Sequence, residues 1–410
     1  MIPTTEPIGI YLHLPFCRRK CQYCDFLSFG GWRGVPDGYV DTLLGEVQLW
    51  GSYFADSNAT VASVYFGGGT PSLAEPRQVE RLMTALRSAA AFGLSCETTL
   101  EANPDSIDEN RVAGWMAAGV NRLSIGIQSL DDPTLRRLGR LHDASRALQA
   151  CTEARRAGIG NVSVDLMYGL PGTDSGTELL TLQRVLEEIH PDHVSWYNLT
   201  PAQGTPLWVS LEEGRLSLPE DDAAADLMNL GWRMLEEHGY EHYEISSFAL
   251  PGRESQHNLG YWQYRDYVGL GLGASGFVAG RRWTNARRLG SYQDAVAAGN
   301  LPVESEERLP ARRRQGEYAM LCMRMPILGL QFDQFRRLFG VDAQASFGVV
   351  FEQLVAEGLL VMLPDRAICS RRGLELNNVV ARAFIDASMD DDPGTLAGDG
   401  VTSYRADARR

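Results

Sequence analysis

Six short apolar segments alternate with longer helix-like segments along the first half of the chain. They are rich in β-branched, aromatic or leucine residues and cover residues 9–14, 62–66, 97–102, 122–128, 162–168 and 193–199. Segments 75–91 and 179–189 have helical periodicity, and Asp108 and Asp132 are typical helix starts. This alternation favours parallel strands joined by right-handed crossovers. We therefore predict an α/β fold with an open or partial TIM-like (βα)6 barrel.

Three cysteines follow the first predicted strand with the spacing Cys-x3-Cys-x2-Cys: Cys17, Cys21 and Cys24. Three thiolates can hold three irons of a 4Fe-4S cluster and leave the fourth iron open, whereas closed clusters normally use four cysteines. The alternative is zinc with His13 or His142 as fourth ligand, but structural zinc sites usually show a second Cys or Cys/His pair. The spacing therefore favours an open iron–sulfur cluster.

Polar residues and glycines stand where the predicted strands end. Parallel α/β folds bind their ligands at the carboxyl edge of the sheet, so these residues are candidates for a site. Residues 67–69 are glycines, which let the backbone approach a ligand closely. The polar side chains at the other strands are Glu101, Gln128, Asp165, Tyr197 and Asn198. Any one of them alone could cap a helix or bind a loop, but together they predict a ligand site beside the cysteines.

The composition narrows the class of protein. With 410 residues, of which 44% are hydrophobic, the chain can form one large domain and a smaller one. No apolar stretch approaches the roughly eighteen residues of a membrane span. The formal net charge of −14 argues against general nucleic-acid binding, which needs surplus Lys and Arg. The cysteine count of seven is odd and we find no secretory signal, so we expect free thiols rather than disulfides.

Six motifs together carry a resemblance to a known family. They are residues 11–26 (YLHLPFCRRKCQYCDF), 67–71 (GGGTP), 101–104 (EANP), 122–129 (RLSIGIQS), 138–142 (LGRLH) and 165–172 (DLMYGLPG). In this combination the chain resembles the radical S-adenosylmethionine (SAM) superfamily and, within it, the HemN/HemW family. The resemblance extends from about residue 9 to residue 386.

The resemblance implies a chemistry for these residues. The amino and carboxylate groups of SAM would bind the open iron, and an electron from the reduced cluster would cleave a carbon–sulfur bond to give methionine and a 5′-deoxyadenosyl radical. It also implies an electron donor such as flavodoxin or ferredoxin. The SAM site that it implies consists of Tyr11, Tyr23, Gly68, Gly69, Thr70, Glu101, Gln128, Arg140 and Asp165.

Two features resemble the heme chaperone (HemW) branch of the family more than the coproporphyrinogen-oxidising (HemN) branch. The latter has a further cysteine two residues after the third one, where this chain has Phe26. The HemN branch also has a long N-terminal extension, whereas here the first predicted strand begins at residue 9. We therefore expect a heme-handling protein.

Residues 257–262 (HNLGYW) match a His-Asn-x-x-Tyr-Trp motif of HemW-like proteins. An imidazole can ligate heme iron and aromatic rings can pack on a porphyrin. This makes His257 a candidate heme ligand, with Tyr261 and Trp262 in a heme pocket. A histidine beside Tyr and Trp is also a common hydrogen-bonded core group. Ser275 stands where many family members have histidine, which weakens a two-histidine arrangement.

Beyond residue 305 the pattern changes to helices and a short hairpin. We predict helices over 311–324, 331–340, 345–357 and 373–385, and strands over 359–363 and 367–370. The order is similar to a winged helix, but 11 Arg against 10 acidic residues in 306–386 lack the charge of a DNA-binding surface. The predicted domains are a radical SAM core over 1–305 with its barrel at about 9–240, a C-terminal domain over 306–386, and a disordered tail over 387–410.

The predicted function is that of a cytoplasmic heme chaperone that binds a 4Fe-4S cluster, SAM and heme and transfers heme to acceptor hemoproteins. By family analogy the acceptors include respiratory proteins at the inner face of the cell membrane, and such acceptors are compatible with peripheral membrane association. A homodimer is compatible with the sequence as well. The main alternative is a HemN-like radical SAM C-methyltransferase acting on a natural product. An oxygen-independent coproporphyrinogen III oxidase is less favoured. The sequence assigns no catalytic residue.

Overall fold

The computed structural model describes residues 7–56 and 60–389. Six strands of its large sheet match the predicted ones within a few residues, except that the third begins earlier. They are β1 (Ile8–Leu14), β2 (Val61–Gly68), β3 (Phe92–Ala102), β4 (Arg122–Gln128), β5 (Val162–Tyr168) and β6 (His193–Asn198). Each pairs in parallel with the next along the chain, so their carboxyl ends meet at one edge. This confirms the predicted α/β fold with a mostly parallel sheet.

Six further strands extend this sheet at both ends: β7 (Glu241–Glu244), β8 (Ser247–Ala249), β9 (Tyr267–Leu270), β10 (Ser275–Val278), β11 (Arg281–Asn285) and β12 (Val303–Arg308). The strand order is β12-β11-β10-β9-β1-β2-β3-β4-β5-β6-β8-β7. Strand β9 pairs in parallel with β1 and so adds a seventh parallel strand that the sequence did not predict. The predicted domain boundary at 305/306 falls inside β12. Because β12 pairs with β11, the large sheet continues to Arg308.

Helices cover the parallel strands and connect them. They are α1 (Asp37–Leu49), α2 (Gly51–Asp56), α3 (Pro76–Ala89), α4 (Glu109–Ala118), α5 (Asp132–Arg137), α6 (Ala144–Arg156), α7 (Ser175–Glu188), α8 (Pro206–Glu212), α9 (Asp221–Glu237), α10 (Gln256–Trp262) and α11 (Leu289–Ala297), with short 3-10 turns at Pro71–Leu73 and Pro104–Ser106. Asp108 caps α4 by accepting from the Arg111 N–H, as its position predicts. For α5 the cap is Asp131, and Asp132 is the first helical residue.

The C-terminal region combines five helices with a small antiparallel sheet of order β13-β15-β14. Its elements are α12 (Ala311–Cys322), β13 (Leu330–Gln331), α13 (Phe332–Phe339), α14 (Ala343–Ala356), β14 (Leu360–Met362), β15 (Arg366–Cys369), α15 (Arg371–Glu375) and α16 (Asn377–Met389). The single helix predicted over 373–385 is thus two helices that meet at Leu376. Residues 387–389 of the predicted tail belong to α16, and residues 390–410 lie outside the described residues.

One apolar core runs through the barrel and into the C-terminal region. Its largest fully buried members include four tryptophans from the region before residue 306 and one phenylalanine from α13. They are Trp50, Trp115, Trp232, Trp283 and Phe335. Burial on this scale supplies the main free energy of folding, at about 25 cal/mol per Å² of apolar surface. Within the described residues, no helix is both long and apolar enough to cross a membrane.

Candidate functional site

The three motif cysteines lie on the loop between β1 and α1, which we call the cluster loop (residues 15–36). The loop is closed at its base, because the Cys17 N–H donates to the Phe29 carbonyl at 2.9 Å and the Phe29 N–H donates to the Pro15 carbonyl at 2.7 Å. Cys17, Cys21 and Cys24 are free thiols and line a cavity of about 670 Å³, the main cavity. Its volume is within the range of about 300–1000 Å³ of small-molecule sites.

Positive groups surround these thiols. The Arg140 Nη1 lies 3.5 Å from the Cys21 Sγ. Burial raises the pKa of the Cys17 and Cys24 thiols, and the nearby Lys20 ammonium offsets a small part of this increase. Metal ligation requires thiolates and favours their formation. The cluster loop therefore has the donor set and the compensating charge for a cluster held by three cysteines.

The two histidines considered as a fourth zinc ligand do not serve that purpose. The His13 ring is bonded at both nitrogens, to the Tyr11 hydroxyl at 3.0 Å and to the Leu27 carbonyl at 2.8 Å. His142 is buried and its Nε2 lies 3.1 Å from the Ile127 carbonyl. Burial lowers the pKa of His142 to about 4, so its ring is neutral at pH 7. Neither His13 nor His142 is among the residues that line the main cavity with the three cysteines.

The predicted carboxylates converge on the main cavity from neighbouring strands. Glu101 on β3 accepts from the Tyr65 hydroxyl at 2.8 Å and from the Gly68 N–H at 3.2 Å. Asp165 on β5 accepts from the Ser195 hydroxyl at 2.7 Å. Burial raises the pKa of Glu101 to about 7 and also raises the pKa of Asp165. Perturbed carboxyl groups in a cavity are typical of functional sites.

Gln128 and Arg140 complete this edge of the sheet. Gln128 ends β4 with φ = +69°, a conformation that costs energy in a residue other than glycine, and its Oε1 accepts from the Tyr197 hydroxyl at 2.7 Å. Arg140 donates to the Asn103 Oδ1 at 2.9 Å and to the Gly126 carbonyl. Since Arg140 also reaches Cys21, it connects the cluster loop to the strand ends.

The glycine run after β2 packs against the cluster loop. Gly68 has φ = +115°, and a Cβ at this position would lie 2.6 Å from the His13 ring. A Cβ on Gly69 would lie 2.8 Å from the Pro15 backbone. The Gly69 and Thr70 N–H groups donate to carbonyls of residues 14 and 16, and the Gly68 N–H donates to Glu101. The backbone amides are therefore engaged within the protein, while Gly68, Gly69 and Thr70 still line the main cavity.

The two tyrosines predicted for the SAM site have different positions. Tyr23 lines the main cavity next to Arg140. Tyr11 is not among the residues that line it, because its ring stacks on Tyr65 with centroids 6.2 Å apart and its hydroxyl bonds His13. Of the nine residues predicted for the SAM site, the structure brings together all but Tyr11.

Helix α10 carries the His-Asn-x-x-Tyr-Trp motif and divides it between two faces. His257 is 2% exposed, and its nitrogens lie 2.8 Å from the Ser63 and Tyr261 hydroxyl oxygens. Asn258 and Trp262, on the next face, line the main cavity. Residues four apart share a helix face. The structure thus brings Trp262 to the cavity but encloses His257 and Tyr261 elsewhere, so the heme-ligand role of His257 stays a prediction.

One ion pair in the lining of the main cavity was not predicted. Arg324 donates to the Glu244 carboxylate at 2.9 and 2.5 Å, and its guanidinium lies over the Trp262 ring at 4.5 Å. The Glu244 side chain is only 3% exposed. No local sequence signal could have found the pair, since its members come from the core and the C-terminal region and are separated by 80 residues.

Comparisons with known proteins agree with this geometry. The family model of the radical SAM superfamily matches residues 11–180. The heme chaperone HemW of Lactococcus lactis is 32% identical over 93% of this chain and 98% of its own length. The heme chaperone HemW of Mycobacterium tuberculosis is 34% identical over 93% and 95%, respectively. This chain belongs to the HemN/HemW family of radical SAM proteins.

The fold of the family is also seen in a solved structure. Coproporphyrinogen III oxidase (HemN) from Escherichia coli, a radical SAM enzyme, superposes with a TM-score of 0.77 over 93% of this chain and 91% of that chain. At 23% identity the superposition shows the shared fold. Radical SAM membership implies a 4Fe-4S cluster and SAM, and the main cavity fits both: three thiols on one loop face buried carboxyl and amide groups on the strands.

Proposed function

We propose that this protein is a radical SAM heme chaperone that holds heme and transfers it to acceptor hemoproteins, including respiratory ones. The observation that carries the proposal is the match to heme chaperones along almost their entire length, including the C-terminal region. The arrangement of the main cavity supports it, since Trp262 of the shared motif lines the same cavity as the three cysteines.

In this proposal the chain's own residues hold SAM against the cluster. Cys17, Cys21 and Cys24 hold the 4Fe-4S cluster, which supplies the electron for SAM cleavage. Glu101 and Asp165 are acceptors for the amino and hydroxyl groups of SAM, because both carboxyl groups are buried and oriented by hydroxyl donors. The SAM-contacting set is completed by Tyr23, Gly68, Gly69, Thr70, Gln128 and Arg140.

An electron donor of the flavodoxin or ferredoxin type would dock at the cluster loop. Arg19 and Lys20 are exposed there beside Phe26, whose side chain is 62% exposed. A basic rim with an apolar centre, on a chain of net charge −14, suits an acidic partner. Lys20 is the only lysine in the sequence.

That single lysine permits a specific test of the docking. A zero-length carbodiimide cross-linker should join Lys20 to a carboxylate of flavodoxin, and the K20R variant should abolish this cross-link while keeping the charge and the rate of cluster reduction. A cross-link that persists in K20R through another amine, or a variant K20E with unchanged reduction rate, would place the donor elsewhere.

A heme-transfer assay tests the proposed function as a whole. The reconstituted protein, loaded with heme, is mixed with an apo-hemoprotein of the respiratory chain, with and without SAM and a reductant. We expect transfer of heme to the acceptor and no conversion of coproporphyrinogen III to protoporphyrinogen. Failure to bind heme, or formation of protoporphyrinogen, would overturn the chaperone assignment. Methylation of a substrate by SAM would favour the methyltransferase alternative.

A further inference from the structure

A second cavity of about 500 Å³ begins where helix α10 ends. One wall comes from residues 263–266 and from the hairpin of β10 and β11, and the other from α12, α13 and the loop between them. It therefore lies between the core and the C-terminal region. The main cavity already has to accommodate a cluster and SAM. None of the three cysteines and none of the residues predicted for the SAM site lines the second cavity, so it is available for another ligand.

The walls of the second cavity are largely aromatic and apolar. Tyr264, Phe277 and Tyr318 supply three rings, with Tyr264 and Phe277 centroids 4.6 Å apart. Met325 and Leu328 add apolar surface from the loop after α12. Such walls suit a flat, apolar ring system, since aromatic side chains contribute large contact areas with defined geometry.

Two buried polar atoms of the lining residues have no hydrogen-bond partner within the described part of the chain. They are the Gln263 Oε1 and the Arg314 Nε. Buried polar groups are rarely left unpaired because this costs about 1–3 kcal/mol each. Gly280, with φ = +77°, lies so close to the Arg314 guanidinium that a Cβ there would be 2.9 Å from it. The Arg314 guanidinium is therefore held in a fixed position against the hairpin, while its residue lines the cavity.

The cation of the lining on which an anion site rests is Arg314. Arg265 also lines the cavity but already takes part in another interaction. Asp266 accepts from the Ala279 N–H at 3.0 Å, and burial raises its pKa. The remaining polar lining consists of the amides of Gln331 and Gln334, in addition to Gln263. The cavity thus offers one guanidinium group, that of Arg314, next to aromatic walls.

We propose that the second cavity binds the heme cargo, with the porphyrin ring against the wall formed by Tyr264, Phe277 and Tyr318 and a propionate at Arg314. The inference rests on the proposed function and adds a location to it. Because the cavity adjoins the C-terminal end of α10, whose Asn258 and Trp262 line the main cavity, heme would lie one helix away from the SAM site.

The test is a titration of the full-length, cluster-reconstituted protein with hemin and, separately, with iron-free protoporphyrin IX. Hemin binding is followed at the Soret band and porphyrin binding by fluorescence. Q334W fills the cavity from helix α13, and R314Q removes the guanidinium. The matched control is D333W on the same helix, because the Asp333 side chain is 86% exposed and does not line the cavity.

We expect Q334W and R314Q to weaken the binding of both ligands at least tenfold, and D333W to stay within twofold of wild type. Iron content and SAM cleavage should be unchanged in all three variants, which also shows that they are folded. If Q334W does not fold, L338W introduces the same bulk at a cavity position whose side chain is 39% exposed.

Hemin and porphyrin affinities within twofold of wild type in the cavity variants would overturn the location while leaving the chaperone function in place. A loss of hemin and porphyrin affinity in D333W equal to that in the cavity variants would also overturn the location. Displacement of hemin by palmitate, together with no binding of protoporphyrin IX, would show a site for acyl anions instead. Absence of hemin binding by the wild-type protein would remove the proposed function itself, so the two failures are distinguishable.

Discussion

Polar side chains are held differently in two regions of the molecule. One is the main cavity, and the other is the contact between α10 and the strands, which we call the enclosed interface. In the main cavity, Glu101 and Asp165 accept hydrogen bonds from neighbours but still face open space. Between α10 and the strands, the polar groups are enclosed and paired with each other: Glu97 accepts from the Gln256 and His257 N–H groups at 3.0 and 3.2 Å, and both nitrogens of His257 are bonded.

The comparison teaches that chemically similar residues take different roles according to what surrounds them. A buried polar group paired within the protein contributes to stability, and its removal leaves its partners unsatisfied. A polar group that faces a cavity can bind a ligand, and its removal affects binding more than folding. The predictions below test this division between the cavity and the enclosed interface.

The largest effect is expected for the cluster loop. Replacing Cys17, Cys21 or Cys24 by Ala should each abolish the visible absorption of the anaerobically reconstituted cluster, because each thiolate holds one iron and the cluster already has one iron without a cysteine. Iron and sulfide analysis should drop from about four of each per chain to near zero. C96A is the matched control, since Cys96 is a half-buried thiol that does not line the main cavity. Full iron content in all three variants would contradict the assignment.

The next effect concerns the cavity carboxylates. E101Q should weaken SAM binding at least tenfold, because the amide keeps the shape and one acceptor but loses the charge. Equilibrium dialysis with labelled SAM measures the change in the dissociation constant. E46Q is the control: Glu46 is also a buried carboxyl group with its pKa raised to about 7, but it is bonded to Tyr292 and Asn285 away from the main cavity. Equal losses in both variants would mean that the effect is not specific to the cavity.

The enclosed interface should respond in stability. H257A removes the partner of the Ser63 and Tyr261 hydroxyls, so we expect a loss of about 2–4 kcal/mol in the free energy of unfolding, measured with urea. N258A, the control on the cavity face of the same helix, should lose less than about 1 kcal/mol. A variant H257A that keeps its stability but loses the Soret band would instead identify His257 as the heme ligand.

The smallest effect is a pH dependence of stability. Burial raises the pKa of Glu46 to about 7 in the folded protein, above its ordinary value of 4.5. Its contribution is complete below pH 4.5 and is lost as the pH rises to about 7, because the unfolded chain ionises first; the loss is at most about 3 kcal/mol. E46Q should reduce the pH dependence of the unfolding free energy over this range, and the part due to Glu101, whose pKa burial also raises to about 7, should remain. An unchanged pH slope would show that Glu46 is already ionised in the folded state.

Much of the fold follows from local sequence patterns, and the parts that do not follow have identifiable reasons. Most of the six parallel strands are short runs rich in apolar residues because helices cover them, which makes them easy to recognise, whereas the start of β3 is more polar and exposed and was missed. Strand β9 was missed because its central Gly269 and the following Gly271 are typical of a loop. It becomes a strand through its parallel pairing with β1, more than 250 residues away, and its antiparallel pairing with β10.

The candidate site shows the same limit. The cysteines and the strand-end carboxylates could be predicted because their roles depend on the order of strands, which the sequence determines. The position of Tyr11 could not, since whether a residue of β1 faces the cavity or packs on Tyr65 depends on its neighbours in the sheet. The ion pair of Arg324 with Glu244 depends on how the C-terminal region packs against the core.

The sequence alone determined the cluster motif, the alternation of strands and helices, and the family, because these are written in local spacing. Tertiary structure decided which members of the His-Asn-x-x-Tyr-Trp motif face the main cavity and which are enclosed. On a helix, residues 257 and 261 share one face and residues 258 and 262 the next, and only the packing of α10 against the strands fixes which face is buried. It also created the second cavity, whose walls come from segments up to 75 residues apart.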